Sequence, residues 1–276
     1  MREDFVFENH LGLRFVGADN GVFLNANELR DYSWSYDVIN NRISRFFRGV
    51  TTRKIPLMVC CSSVAEANAA RNRILDLAEA DVIAMLPGKV FINGYYTTGY
   101  VTASKKTDYR MHGRYCLMEL SLTSANPAWN REQLHVFGGD QGAAQQDRSG
   151  FDFPFDYKFD YSVTTTSRQI VCDTVKSSNF KLKIYGEATN PAVMVNGHVY
   201  EVTGMVRAGE SLEINSLDKT VTLKTASGTT INWFNNRGRS NYVFEPIPPG
   251  VNNVMFNGSF KFDLTIIEER SEPKWI

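Results

Sequence analysis

The chain is poor in the groups that most often carry covalent structure or chemistry. Four cysteines in 276 residues are too few for a disulfide framework, and the adjacent pair Cys60-Cys61 sits in an apolar run, so reduced and buried thiols are expected. The four histidines, His10, His112, His135 and His198, stand singly, whereas a zinc site wants a short-spaced His or Cys pair. No Gly-x-Ser-x-Gly elbow, Walker-type phosphate loop or Gly-x-Gly-x-x-Gly turn is present, which leaves hydrolase, nucleotide and dinucleotide chemistry without a mechanical centre. A charge of one sign is missing too. Thirty Lys and Arg balance thirty Asp and Glu, which removes the basic excess of a dedicated nucleic-acid or membrane-surface binder. No stretch approaches the roughly 20 apolar residues of a membrane span, and the acidic start at Glu3-Asp4 has no apolar leader, so folding in a cytoplasm is expected.

Catalytic residues, metals and cofactors are therefore not expected. Asp152, Asp156 and Asp160 recur every four residues, but the glycine and the bidentate glutamate of a calcium loop are missing, and solvated or structural roles follow. A glycosidase pair distant in sequence stays open, because its two carboxylates need not be neighbours in the chain.

What the chain does contain is β patterning. A hydrophobic share of 43% in 276 residues fits two compact domains, at about 100–200 residues each. The small and polar run Gly138-Gly139-Asp140-Gln141-Gly142 reads as a linker. After it, Ser149 to Tyr161 alternates rings and aspartates as an extended strand does, with Pro154 marking a sheet edge. The expected division is 1–138, a linker at 139–149, and 150–276.

In the first half, Phe5 to Phe23 predicts a small hairpin turning at Asp19-Asn20-Gly21. Ile43 to Phe47 and Ile55 to Cys60 predict paired strands joined by the exposed basic segment Arg48 to Lys54. One helix is expected over Val64 to Ala80: Ser63 and Glu66 form a capping box, Ala67, Ala70, Ile74, Leu77 and Ala78 recur at helical spacing, and Arg71, Arg73 and Asp76 face water. Strands follow at Val90 to Ile92, Tyr95 to Ala103 and Tyr115 to Thr123, with a tight turn at Asn93-Gly94.

In the second half, Phe180, Leu182 and Ile184 oppose Lys181, Lys183 and Tyr185. Val193 to Val202 forms a hairpin about Asn196-Gly197, and Leu212 and Ile214 turn through Ser216 to Lys219 into Val221 and Leu223. Phe260 to Ile266 closes the pattern, which favours a β-sandwich without helices. The terminal Trp275 is expected to be buried, because its large ring is costly in water.

This order of elements resembles the distal tail proteins of long-tailed phages and related tail-like particles. The likeness rests on the helix followed by Pro87-Gly88-Lys89-Val90-Phe91-Ile92-Asn93-Gly94-Tyr95, on Asn126-Pro127-Ala128-Trp129, on Asn190-Pro191-Ala192-Val193, and on Pro249-Gly250-Val251-Asn252-Asn253-Val254. The resemblance implies a mostly β chain, with an α+β N-terminal ring domain carrying one helix and a C-terminal galectin-like β-sandwich. It also implies a homo-hexamer in the virion tail that joins the tail tube protein to tail-tip hub, baseplate or receptor-binding proteins. DNA would at most pass through the lumen, and no membrane insertion is implied.

Two surfaces are candidates on that reading. Lys89, Phe91, Tyr95, Tyr96 and Tyr100 lie on the hairpin proposed to exchange between subunits, where a neighbour can cap an unpaired edge. Trp233, Asn235, Arg237 and Tyr242, with Tyr200 as a further ring, offer stacking and hydrogen-bonding groups for a sugar, although a core role for the aromatics is the plainer one. Arg42, Arg45, Arg48, Arg53 and Lys54 form the densest basic stretch. They read as a charged hairpin guarding an edge or meeting an acidic neighbour.

Overall fold

The computed structural model describes residues 4–138 and 166–275. It divides into two compact units, Met1–Arg131 with Glu269–Ile276, and Glu132–Glu268. The strand Trp129–Phe137 runs uninterrupted across the division between Arg131 and Glu132, ahead of the expected break at 138, and the expected break at 150 lies outside the described residues. The last residues belong to the first unit, where Arg30 Nη1 donates to the Pro273 carbonyl at 2.8 Å and Arg48 pairs with Glu269 at 2.5 Å. The Phe151 to Tyr161 alternation, with its three aspartates and the linker before it, lies outside the described residues.

The first unit contains β1 (Val6–Glu8), β2 (Arg14–Val16), β3 (Val22–Leu24), β4 (Ser35–Ile39), β5 (Arg42–Phe47) and β6 (Thr51–Cys60), then α1 (Val64–Ala84), β7 (Gly88–Ile92), β8 (Tyr95–Arg110), β9 (Tyr115–Ser124) and the start of β10 (Trp129–Phe137). One antiparallel sheet runs β2-β1-β7-β8, with Asn130 of β10 beside Tyr96. A second runs β3-β6-β9-β8. β8 belongs to both: Tyr95 to Gly99 pairs with β7, and the stretch beyond Tyr100 pairs with β9.

The hairpin expected to turn at Asp19-Asn20-Gly21 does not form; β1 and β2 make the hairpin of this region, turning at Asn9 to Gly12. The Asn9 side chain accepts from the Leu11 and Leu13 amides at 3.1 and 2.9 Å. Asn20-Gly21 instead ends a short 3-10 turn and delivers the chain into β3. The expected pairing of Ile43–Phe47 with Ile55–Cys60 is not what forms. β5 pairs with β4 through Asn40-Asn41, whose positive φ values of 49° and 61° suit a two-residue turn. β6 is filled on both edges by β3 and β9.

The helix starts where the sequence places it, with Ser63 Oγ accepting from the Glu66 amide at 3.1 Å, and continues to Ala84. Its inner face is Ala67, Ala70, Ile74, Leu77, Ala78 and Asp81. Fully burying Ile74 and Leu77 contributes about 1.5–3 kcal/mol each, which outweighs the marginal stability of an isolated helix. Arg71 is not on the wet face as expected. Its guanidinium donates to the Ala67 and Gly113 carbonyls at 3.0 and 2.9 Å. In β6 the inward parity falls on Arg53, Ile55, Leu57 and Val59, so Cys60, expected inside, is exposed. Cys116 and Cys172 are buried as expected. Trp275 is 75% exposed rather than buried, and its ring lies over the Arg30 guanidinium at 3.9 Å.

The second unit contains β11 (Thr166–Cys172), β12 (Asn179–Tyr185), β13 (Ala188–Thr189), β14 (Ala192–Val195), β15 (His198–Glu201), β16 (Met205–Val206), β17 (Ser211–Asn215), β18 (Thr220–Lys224), β19 (Thr230–Asn232), β20 (Gly250–Phe256) and β21 (Lys261–Arg270). One sheet runs β19-β18-β17-β12-β21 and the other β11-β20-β14-β15, all antiparallel. Their inward residues, Phe180, Leu182, Ile184, Leu212 and Phe262 from one and Val193, Tyr200, Val254 and Phe256 from the other, form one core, which makes the unit a β-sandwich. Asn196 (φ 50°) and Gly197 (φ 83°) make the predicted hairpin turn. The chain is thus mostly β, with one α-helix among the described residues.

Candidate assembly surfaces

The hairpin of β7 and β8 gathers most of its proposed inter-subunit residues on one face. Lys89 Nζ lies 4.9 Å from the Tyr96 ring centroid and 3.8 Å from Glu8. The Phe91 and Tyr96 rings are 5.7 Å apart, and Arg14 covers Phe91 at 4.9 Å. Tyr100 donates to the Met85 carbonyl at 2.8 Å. Tyr95 points the other way, into the core. Both edges of β7 are already paired, by β1 and β8, so exchange of this hairpin would break existing ladders.

A surface that the sequence reading missed is the ribbon of β4 and β5. It pairs with no other strand among the described residues. Its register sets Tyr36 opposite Phe46 and Val38 opposite Ile43, so all four share one face. They are 57%, 58%, 55% and 54% exposed. The reverse face carries Asp37 opposite Arg45 and Ile39 opposite Arg42. At the stem, Arg48 stacks over Trp34 at 4.4 Å and reaches Glu269 and Ser271. The available signal was the alternation Tyr36-Asp37-Val38 before Asn40-Asn41, a turn pair without glycine.

The basic stretch therefore does not form one face. Arg42 and Arg45 ride the ribbon, Arg48 is paired, and Lys54 sits 3.5 Å from Glu119. Arg53 is buried, donating to the Pro127 and Asp31 carbonyls at 3.0 and 3.3 Å, and desolvation draws its pKa down.

The C-terminal end of α1 also exposes apolar side chains. Val82, Ile83, Met85 and Leu86 are 45%, 76%, 73% and 53% exposed. Asp76 and Glu79 are exposed beside them, and no basic residue occupies the last turn.

In the second unit, Trp233 and Phe234 pack against the core as partly buried rings. Arg237 lies over the Phe234 ring at 3.8 Å and donates to the Phe234 carbonyl. Asn235 is exposed, and Tyr242 is 54% exposed with Lys219 Nζ 5.5 Å from its ring. Tyr200, buried at 3%, donates to the Glu245 carbonyl at 2.7 Å, and its burial pushes its pKa up. Of the proposed sugar-facing rings, Tyr242 alone presents most of its surface. Among the described residues no group of three His, Cys, Asp or Glu is placed to hold a metal, and no helix is long and apolar enough to cross a membrane.

One histidine yields a pH prediction. Burial, and then the charge of Arg168, push the His135 pKa down. The folded second unit therefore favours neutral imidazole, and the unfolded chain takes up the proton first as pH falls. Stability is expected to be flat above the unfolded pKa of about 6.5 and to decline below it, until the folded pKa is reached. Denaturant titrations between neutral and mildly acidic pH should show His135→Gln losing less stability than the parent. Identical slopes would overturn the assignment.

No protein-family model matches the chain, and no curated protein does. Among solved structures, a chain of the phage P2 baseplate in its activated conformation with calcium covers 99% of this chain and 100% of its own, at 12% identity and TM-score 0.61. The same baseplate with strontium gives 98%, 99%, 12% and 0.61. The phage SPP1 Dit protein, described as a paradigm of hub adsorption apparatus in phages infecting Gram-positive bacteria, gives 96%, 99%, 10% and 0.54. Across almost its whole length, the chain has the fold of this baseplate component and of the SPP1 Dit protein.

Proposed function

We propose that this chain is a distal tail protein, a structural hub at the tip of a phage or phage-like tail. It would form a six-copy ring between the end of the tail tube and the baseplate, tail-tip or receptor-binding proteins. The observation that carries the reading is the end-to-end match in fold, 99% of this chain against 100% of a P2 baseplate chain. A match confined to the sandwich would fit any of many β modules, whereas one that spans both units favours a common architecture. The exposed ribbon and helix end supply surfaces suited to assembly. The first unit would build the annulus and the second would carry attached proteins outward.

Multi-angle light scattering of the purified chain, with negative-stain microscopy, is expected to show a mass near six chains and a sixfold ring. A single chain that also fails to associate with its tail tube protein would sink the reading.

A further inference from the structure

We propose that the C-terminal segment of the first unit is a clamp that holds the β4–β5 ribbon in place, with Arg48 as its joint. Every residue from Asp31 to Phe46 is exposed. Among the described residues the two strands pair only with each other, and none of their side chains joins the core of the unit. A two-stranded ribbon is marginal alone in water, so the contacts at its stem decide whether it stays formed and where it stands.

Those contacts converge on one guanidinium. Trp34 comes immediately before β4 and Arg48 immediately after β5, and Arg48 lies over the Trp34 ring at 4.4 Å, which ties the two ends of the ribbon together. The same group also reaches outside the ribbon. Its Nη1 donates to Glu269 Oε1 at 2.5 Å and its Nη2 to Ser271 Oγ at 3.1 Å. The Arg48 and Glu269 side chains are only 13% and 18% exposed. A charge-assisted bond shielded from water in this way is stronger than an open surface pair, and the planar fork fixes direction as well as distance.

A second arginine secures the far end of the segment. Arg30 Nη1 donates to the carbonyl of buried Pro273 at 2.8 Å, and its guanidinium lies 3.9 Å from the Trp275 ring. The other links to the ribbon are slack by comparison. Tyr32 and Ser33 lead in as exposed residues outside any strand, and on the return a Cβ at Gly49 would meet no atom within 4 Å. With the clamp released, the ribbon keeps only its own pairing, and it frays and swings while the core beneath stays folded.

Hydrogen–deuterium exchange read by mass spectrometry on the full chain tests this, each variant being compared with the parent at the same concentration. In Glu269→Ala and in Arg48→Ala, the amides between Ser35 and Phe47 are expected to exchange about tenfold faster than in the parent, with those of α1 and β7 unchanged. The double variant Arg48→Ala/Glu269→Ala should be no faster than Arg48→Ala alone, because both side chains act through one contact. Parent-like exchange of the ribbon in Glu269→Ala would overturn the clamp, and so would additive effects in the double variant. Equal acceleration in α1 and β7 would also overturn it, by showing that the pair supports the whole unit and not the ribbon. The contact lies within one chain, so its failure would leave the ring reading untouched.

Discussion

Trp129→Ala is expected to lower the stability of the first unit by about 3–5 kcal/mol, the cost of emptying a large core site. Trp129 is fully buried at the start of β10, among Phe5, Ile55, Leu57, Leu120 and the other residues of that core. Its indole Nε1 donates to the Leu29 carbonyl at 3.2 Å in a buried setting. Domains are stable by only about 5–15 kcal/mol in total, so the loss should be visible as a large drop in the denaturant midpoint followed by circular dichroism. Trp129→Phe separates the two contributions. It keeps most of the ring volume but orphans the Leu29 carbonyl, a cost of about 1–3 kcal/mol. Alanine should therefore be clearly worse than phenylalanine. A loss below about 1 kcal/mol for alanine would contradict the packing account.

Asp81→Ala is the second large effect, expected at about 1–3 kcal/mol, the cost of leaving buried polar groups without their hydrogen-bond partner. The Asp81 side chain is wholly buried, and its Oδ1 accepts from the His10 amide at 2.8 Å and meets His10 Nδ1 at 2.7 Å. His10 keeps 13% of its side chain exposed, so part of its lost bonding is recovered from water. The carboxylate ties the β1–β2 turn to the last turns of α1. Space around it is tight: a Cβ at Gly88 would fall 2.2 Å from Asp81 Oδ2 and 2.9 Å from the Phe7 ring. Asp81→Asn retains the acceptor facing His10 and should cost clearly less than alanine in the same denaturant assay. Equal losses for both variants would show that the carboxylate charge, and not its acceptor geometry, holds the turn.

How much of this was legible depends on how local the cause is. The β9 alternation of Cys116, Met118, Leu120 and Leu122, the Ser63 cap and the turns at Asn93-Gly94 and Asn196-Gly197 are all set by neighbours in sequence, and all form as read. Arg53 was misread because the carbonyls that hold it, on Asp31 and Pro127, lie 22 and 74 residues away. The ribbon was misread for a different reason. Treating Ile43 and Phe46 as core-seeking assigned them to a sheet within their own chain, whereas they are exposed on a separate two-stranded element. Of the proposed subunit residues, Tyr95 was misplaced by a parity that the strand sets but the sequence does not label. The sugar candidates were drawn from a loop whose aromatics turn partly inward.

The four tryptophans also make the molecule its own optical instrument. Trp129 is sealed in the first core and Trp233 is half shielded in the sandwich, while Trp34 and Trp275 are 42% and 75% exposed. Emission should therefore split into a fraction that iodide extinguishes, from the two outer indoles, and a fraction beyond its reach.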